Sequence, residues 1–252
     1  MILAILQARC SSARFPNKVL ADLAGKPMIL QQIQRLSESL LIDKLVVATS
    51  TDPTDDRLVE LLTSNNVFVH RGSLDNVLER FVEVIEVEKP DVVVRLTADC
   101  PLIDPRVIDK VIEQHGNGKD KYTSNTINPT YPDGLDVECV DPRLLQKLYD
   151  SKPSEIECEH VTYGLYKRPR FCNLNSVEQE TDYSNLRWTV DLPGDLDFVR
   201  RVYAEFAPHY YSFGQDDLIE LALSKPGFVQ SDTILGRNAG LIEQESGMRD
   251  EH

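Results

Sequence analysis

Ala8-Arg9-Cys10-Ser11-Ser12-Ala13-Arg14-Phe15-Pro16-Asn17-Lys18 follows directly on the apolar run Met1 to Leu6. A short unbroken run of this kind predicts a buried strand. The loop behind it gathers Arg9, Arg14 and Lys18 around the hydroxyls of Ser11 and Ser12. Fixed cations, hydroxyls and free backbone N–H groups just past a strand are what a polyphosphate requires. A solvated basic loop has the same composition, so the setting decides. The chain of 252 residues carries a net charge of -14. Cations concentrated at its first strand-to-loop junction therefore point to a local anion site.

The composition narrows the function classes. Hydrophobic residues make up 41%, enough for a substantial core, and the 27% charged is ordinary for a water-facing protein. Length alone allows one large domain or two small ones. The acidic balance argues against a nucleic-acid or anionic-membrane binder, because the long-range field repels polyanions. A nucleotide needs a local basic pocket here, helped by a divalent cation. The five cysteines, Cys10, Cys100, Cys139, Cys158 and Cys172, form no C-x2-C pair, which speaks against zinc. Their odd number and wide spacing suit reduced thiols and a cytoplasmic setting. The first apolar run is too short for a signal peptide. No stretch approaches the roughly 18 apolar residues of a membrane span.

Working outward, Gly25-Lys-Pro-Met opens a helix carrying Ile29, Ile33 and Leu36, with Pro27 in its first turn. Lys44 to Thr49 reads as a strand, and Asp52-Pro-Thr-Asp caps the helix after it. Val67 to His70 is another strand, a helix begins at Ser73, and Asp91 to Leu96 is a fourth strand. Strands alternating with helices predict a parallel sheet covered on both faces. In such sheets ligands bind at the carboxyl ends of strands. The loops at Arg9–Lys18 and Thr97–Asp104 both lie there. Further on, the pattern predicts a helix from Asp104, a strand over Leu135 to Val140 and a helix from Asp141 to about Tyr149. Glu159-His160-Val161 reads as helical through Tyr166, and Phe171 to Val177 as a strand. Leu186 to Asp191 reads as a strand ending in an acid, followed by helices from Pro193 and Asp216. Residues 1–235 read as one domain. The polar tail 236–252 reads as mobile.

Asp99 and Asp191 each follow a β-rich run. Magnesium takes one or two carboxylates together with phosphate and water. Two acids facing a basic loop would suit a metal-bridged nucleoside triphosphate. Each acid also suits a helix N-cap. Asp195 and Asp197 fall in a first helical turn, where acids favour the dipole, and one could be a second metal ligand. Cys100 lacks a paired histidine motif and reads as no nucleophile. Trp188 reads as core. Tyr163 and Tyr166 read as core or dimer contacts. A lone helical His160 is more often packed or exposed than functional.

These segments together resemble the sugar-acid cytidylyltransferases, the CMP-Kdo and CMP-N-acylneuraminate synthetases. The Tyr131-Pro-Asp-Gly-Leu-Asp-Val-Glu and Glu159-His-Val blocks are similar to those of the spore-coat polysaccharide biosynthesis protein F subgroup. The resemblance covers about residues 1–205. It implies a nucleotide-diphospho-sugar transferase fold, Rossmann-like and of GT-A type, with a mixed, mostly parallel sheet between helices. It implies an acceptor and dimerisation region at about 119–180, a homodimer, and the reaction of CTP with an acidic sugar to give a CMP-sugar and pyrophosphate. Arg9, Ser12, Arg14 and Lys18 match the triphosphate loop, of which Ala8 and Ser11 are part. Arg71-Gly-Ser-Leu-Asp-Asn-Val-Leu-Glu-Arg80 matches the segment near base and ribose, with Arg71, Asp75 and Asn76 as its nucleotide contacts, and Thr97 and Ala98 also on the nucleotide. Asp99 and Asp191 match the Mg2+ carboxylates, and with Arg14 and Lys18 they would be the catalytic set. Asp133, Asp136, Glu138 and His160 fall in the acceptor region.

The chain departs from that pattern in three places. Asn17 replaces the glycine common before the loop lysine, which leaves the backbone path of the loop open. Thr97 stands where a glutamine is frequent. For an acceptor carboxylate only Arg168 and Arg170 offer themselves, so a phosphorylated small acid is an alternative acceptor. Two other functions remain: a nucleotide-sugar-dependent glycosyltransferase, and a non-catalytic nucleotide-binding relative.

Overall fold

The computed structural model describes residues 1–117, 119–168, 170–228, 236–237, 241–242 and 244–246. The first strand, β1 (Ile2–Gln7), is the centre of the sheet. Leu3 and Ile5 pack into the core on one face, Ala4 and Leu6 into the core on the other, and all four are fully buried. That is why the run is continuously apolar rather than alternating.

The chain then makes a short hairpin, β2 (Asp22–Leu23) and β3 (Lys26–Pro27), before α1 (Met28–Leu36). Pro27 thus precedes the helix instead of lying in its first turn. Next come β4 (Lys44–Ser50), α2 (Asp56–Ser64), β5 (Phe68–Gly72), α3 (Val77–Glu88), β6 (Val92–Thr97) and α4 (Pro105–His115). The helix foreseen from Ser73 starts instead after Asn76, whose side chain accepts from the Glu79 N–H at 3.0 Å. The second half holds β7 (Lys121–Ser124), β8 (Glu138–Val140), α5 (Pro142–Asp150), α6 (Glu155–Glu159), α7 (Tyr163–Lys167), β9 (Asn173–Ser176), α8 (Pro193–Glu205) and α9 (Gln215–Ser224).

The sheet order is β5-β4-β1-β6-β8-β7-β9. Strands β5, β4, β1 and β6 are parallel, and β8 runs antiparallel to β6 and to β7. The expected mixed, mostly parallel α/β sheet flanked by helices is what forms. From β1 the chain winds outward through β4 and β5, then returns to β6 on the other side of β1. The reversal point therefore lies between the carboxyl ends of β1 and β6, where an open α/β sheet leaves a crevice. Among the described residues no helix is long and apolar enough to cross a membrane.

Two local expectations are corrected. The helix expected through Glu159, His160 and Val161 is broken: α6 stops at Glu159, Val161 has φ of 25°, and α7 starts at Tyr163. Val161 is fully buried against the α3–α5 core. Burying that side chain while turning His160 the other way requires the break. The expected strand at Leu186–Asp191 is an extended segment without a ladder. The Trp188 N–H donates to the Asp133 carbonyl at 2.7 Å, and the Val190 N–H to the Asp99 carbonyl at 2.8 Å. Its partners are loop residues, so no regular strand pairing develops. Gly134 permits the approach: it has φ of 104°, and a Cβ there would lie 2.9 Å from the Trp188 carbonyl carbon. Trp188 is core, as expected.

Candidate active site

The basic loop is closed upon itself. The Asn17 N–H donates to the Cys10 carbonyl at 2.8 Å, and the Cys10 N–H donates to Asp55 at 2.6 Å. Fully buried Asp55 also accepts from the Ser50 N–H at 3.2 Å, so the loop is stapled to the end of β4. Asn17 sits at φ 60° and ψ 20°, in the left-handed region. Asparagine is the non-glycine residue that tolerates this region most readily. The substitution for glycine therefore keeps the turn that delivers Lys18 into the crevice.

Lys18 is only 9% exposed. Its ammonium donates to the Val190 carbonyl at 2.7 Å and to Asp191 at 3.1 Å, and lies 3.4 Å from Asp99. Arg14 reaches the same Asp191 oxygen at 3.1 Å, and Arg187 holds the other at 2.9 Å. Burial alone would lower the Lys18 ammonium, but Asp99 and Asp191 outweigh it and the net shift is upward. Burial pushes Asp99 up, and Lys18 with the Thr97 and Cys100 side chains more than reverses that. Both groups are thus charged near neutrality. The Cys100 thiol is pushed far up by burial and Asp99, and is inert.

Asp191 does not cap the helix that follows it. That task falls to Asp195, whose carboxylate accepts from the N–H groups of Asp191 and Leu192 at 2.9 and 2.8 Å and pairs with Arg187 at 3.0 Å. Asp195 is fully buried and spent on these contacts, while Asp197 is exposed and paired with Arg200 at 2.9 Å. Neither faces Asp99. Among the described residues no three His, Cys, Asp or Glu side chains converge on a metal position. Two carboxylates sharing one crevice fit a magnesium ion that brings phosphate and water as its other ligands.

These groups line a cavity of about 410 Å³. From the loop it takes Ala8, Arg9, Ser12, Arg14 and Lys18, and from the end of β6 it takes Thr97, Ala98 and Asp99. Asp191, Asp133, Asp136, Glu138 and His160 complete the set of foreseen residues that it brings together. Ser11, Arg71, Asp75 and Asn76 do not reach its walls. Arg71 is turned to the carbonyls of Ser50 and Asp52 and to Asp56, where it ties β5 to the end of β4. One turn further along α3, Val77 and Arg80 line the cavity in their place. Arg80 is 2% exposed, and its Nε meets no hydrogen-bond acceptor. Burial lowers its guanidinium to about 10, with Arg9 adding to the effect.

The β8 side of the cavity is acidic, and its carboxylates are largely buried. Glu138 is spent on structure: it takes Arg95, the Tyr122 hydroxyl at 2.6 Å and the Thr162 hydroxyl. Asp133 lies 3.8 Å from Arg187 and is raised by burial. Asp136 is raised to about 7 by burial, against the pull of Arg237. Arg237 is 3.2 Å from Asp136 and donates to the Tyr131 carbonyl at 2.9 Å. Arg168 and Arg170 are not part of the cavity wall; Arg168 is held by Glu157 at 2.7 Å.

Sequence reasoning passed over several residues of this site. Arg80 is not among them, since it closes the Arg71–Arg80 segment matched to base and ribose; Arg187 lies within a β-rich run. Arg237 and Gln244 belong to the tail read as mobile; of its described residues Gly236, Leu241 and Gln244 line the cavity, and residues 238–240, 243 and 247–252 lie outside the described set.

Comparison with known proteins agrees with this geometry. The family profile described as Cytidylyltransferase matches residues 3–207. The Bacillus subtilis (strain 168) spore coat polysaccharide biosynthesis protein SpsF is 34% identical over 209 residues, covering 80% of this chain and 86% of its own. A cytidylyltransferase structure from Leptospira borgpetersenii superposes with a TM-score of 0.86 at 28% identity, covering 93% of this chain and 98% of the other. A CMP:2-keto-3-deoxy-manno-octonic acid synthetase complexed with CTP shares the fold, with a TM-score of 0.61 at 20% identity over 81% of this chain and 98% of that one. By the extent of the profile match, and with a crevice built as the fold requires, the chain belongs to the cytidylyltransferase family.

Proposed function

We propose that the protein joins CTP and a small acidic acceptor, an acidic sugar or related acid, to give a CMP-activated product and pyrophosphate for surface polysaccharide synthesis. The observation that carries this reading is the Lys18 ammonium held between Asp99 and Asp191, with Arg14 beside it, at the reversal point of the sheet. Cations already fixed in a mostly buried crevice need little reorganisation when charge develops on a departing pyrophosphate. In this reading Arg14 and Lys18 would hold the β- and γ-phosphates, with Arg9 and Ser12 on the same loop. Arg80, on the β4 side, would offer its unpaired buried Nε to the nucleoside end. The acceptor then lies on the β8 side, against Asp133, Asp136 and His160.

Asp99 and Asp191 would hold Mg2+ together with the triphosphate. When bound, the ion would supply charge neutralisation at the α-phosphate. The chain itself binds and orients the reacting groups and excludes water from them. The name of the Bacillus subtilis relative supports the polysaccharide setting. The test is pyrophosphate release with each of the four NTPs, Mg2+ and a panel of acidic sugars and phosphorylated acids. Release with CTP and one acceptor, lost in Asp99→Asn, supports the reading. Failure of every pair, with binding of an intact nucleotide-sugar, favours a glycosyltransferase.

A further inference from the structure

Gln244 lies well beyond the family-matched residues 3–207 and yet forms part of the cavity wall. Its amide bridges two neighbours on the break between α6 and α7. The side-chain nitrogen meets the Glu159 carboxylate, and the side-chain oxygen lies 2.8 Å from His160 Nε2. Glu159 in turn lies 3.3 Å from Arg9 of the basic loop.

The bond directions follow from donor and acceptor capacity. An ionised carboxylate only accepts, so the nitrogen of the Gln244 amide must face Glu159. The amide oxygen then faces His160, and an oxygen can only accept. His160 Nε2 must therefore carry the proton. Burial lowers the His160 imidazolium, more than the Gln244 hydrogen bond raises it. In the neutral ring Nδ1 is then left with its lone pair.

We propose that Gln244 is a positioning residue of the acceptor site: it holds His160 as a neutral ring protonated at Nε2, so that Nδ1 accepts a hydrogen bond from a sugar hydroxyl or acylamino N–H of the acceptor. This deepens the proposed function and rests on it for the identity of the ligand, not for the state of the ring. The wall has the chemistry for a donor group. Glu159, Glu138 and the Tyr166 ring line it beside His160, and carboxylate oxygens accept from hydroxyl and N–H groups.

Two measurements on the full chain test this. The first is 15N NMR of the His160 ring without substrate. The parent shows a protonated Nε2 and a bare Nδ1; Gln244→Met, of similar shape without the amide, and Gln244→Ala show a mixture of tautomers. A parent ring protonated at Nδ1, or a ring unchanged in both variants, overturns the proposal whatever the protein's activity. The second is steady-state kinetics of the same variants. KM for the acceptor rises about tenfold, as for one lost hydrogen bond, while KM for CTP stays within about twofold. An equal rise in both KM values overturns the proposal. If no acceptor is turned over by the parent, the proposed function fails, and the NMR result still decides whether Gln244 sets the ring.

Discussion

Replacing Lys18 by methionine removes one charge and little volume from the centre of the crevice. The ammonium is 3.1 Å from Asp191 and 3.4 Å from Asp99. With an effective dielectric of about 20, each contact has a gross attraction of about 5 kcal/mol. Much of that is offset by the burial of Lys18 itself. Asp191 keeps Arg14 at 3.1 Å and Arg187 at 2.9 Å in the variant, so the loss falls mainly on Asp99. Removing one partner from a buried pair costs about 3 kcal/mol. For a chain of this size that lowers the midpoint of thermal unfolding by about 6–12 °C. The sign of the pH dependence follows from the shifts. Asp99 is depressed in the folded state, so its share of the stability is present above the ordinary carboxylate range and disappears as pH falls through its folded pKa. Lys18 is raised, so its share is present below the ordinary lysine range and is lost as pH rises through its folded value. The gap between parent and Lys18→Met is therefore widest near neutrality and closes in acid. On turnover, losing one preorganised cation at the phosphates costs about 10²–10³-fold in kcat. Calorimetry across pH, with pyrophosphate release on the same samples, reads both effects. An unchanged midpoint at pH 7 together with turnover within about fivefold of the parent would refute the reasoning.

Asp136 is an acid raised to about 7 by burial, so the parent loses stability as pH rises from the ordinary carboxylate range through 7. Asp136→Asn removes that dependence, and the stability of parent relative to variant should fall between pH 5 and pH 8 in urea titrations. Asp195→Ala leaves Arg187 buried with one fewer carboxylate and two N–H groups of the α8 entry unserved. A loss of about 3–5 kcal/mol is expected in urea unfolding, accompanied by weaker nucleotide binding as Asp191 loses its support. Gly134→Ala places a methyl group against the Trp188 backbone in a left-handed conformation. It should cost more than about 1 kcal/mol and alter the near-ultraviolet signal of Trp188.

The half of the crevice built by the basic loop and the end of β6 was legible in the sequence because its signals are local. The apolar run of β1, the cations just behind it and the loop after β6 each occupy a few consecutive residues. Asp191 was found through a strand that is not there: the β-rich composition of Leu186–Val190 reflects burial beside Asp133 and Asp99 rather than a ladder. The helical period across Glu159 to Tyr166 hid the break at Val161, since burial of that one side chain in the α3–α5 core is a tertiary demand. Arg71 and Arg80 differ by position on neighbouring elements, and only the register of α3 on β4 decides which enters the cavity. Arg237 and Gln244 reach the crevice through contacts with Tyr131, Asp136, Glu159 and His160. No periodicity marks such contacts between residues far apart in the chain.

The most direct test is 31P NMR of the protein with CTP, Mg2+ and the acceptor found in the panel, run beside Asp99→Asn and Asp191→Asn. The account predicts that the CTP β-phosphate signal is replaced by equal amounts of pyrophosphate and a CMP diester, and that neither variant produces them at a comparable rate. Appearance of CDP and inorganic phosphate, or full diester formation in both variants, would contradict it.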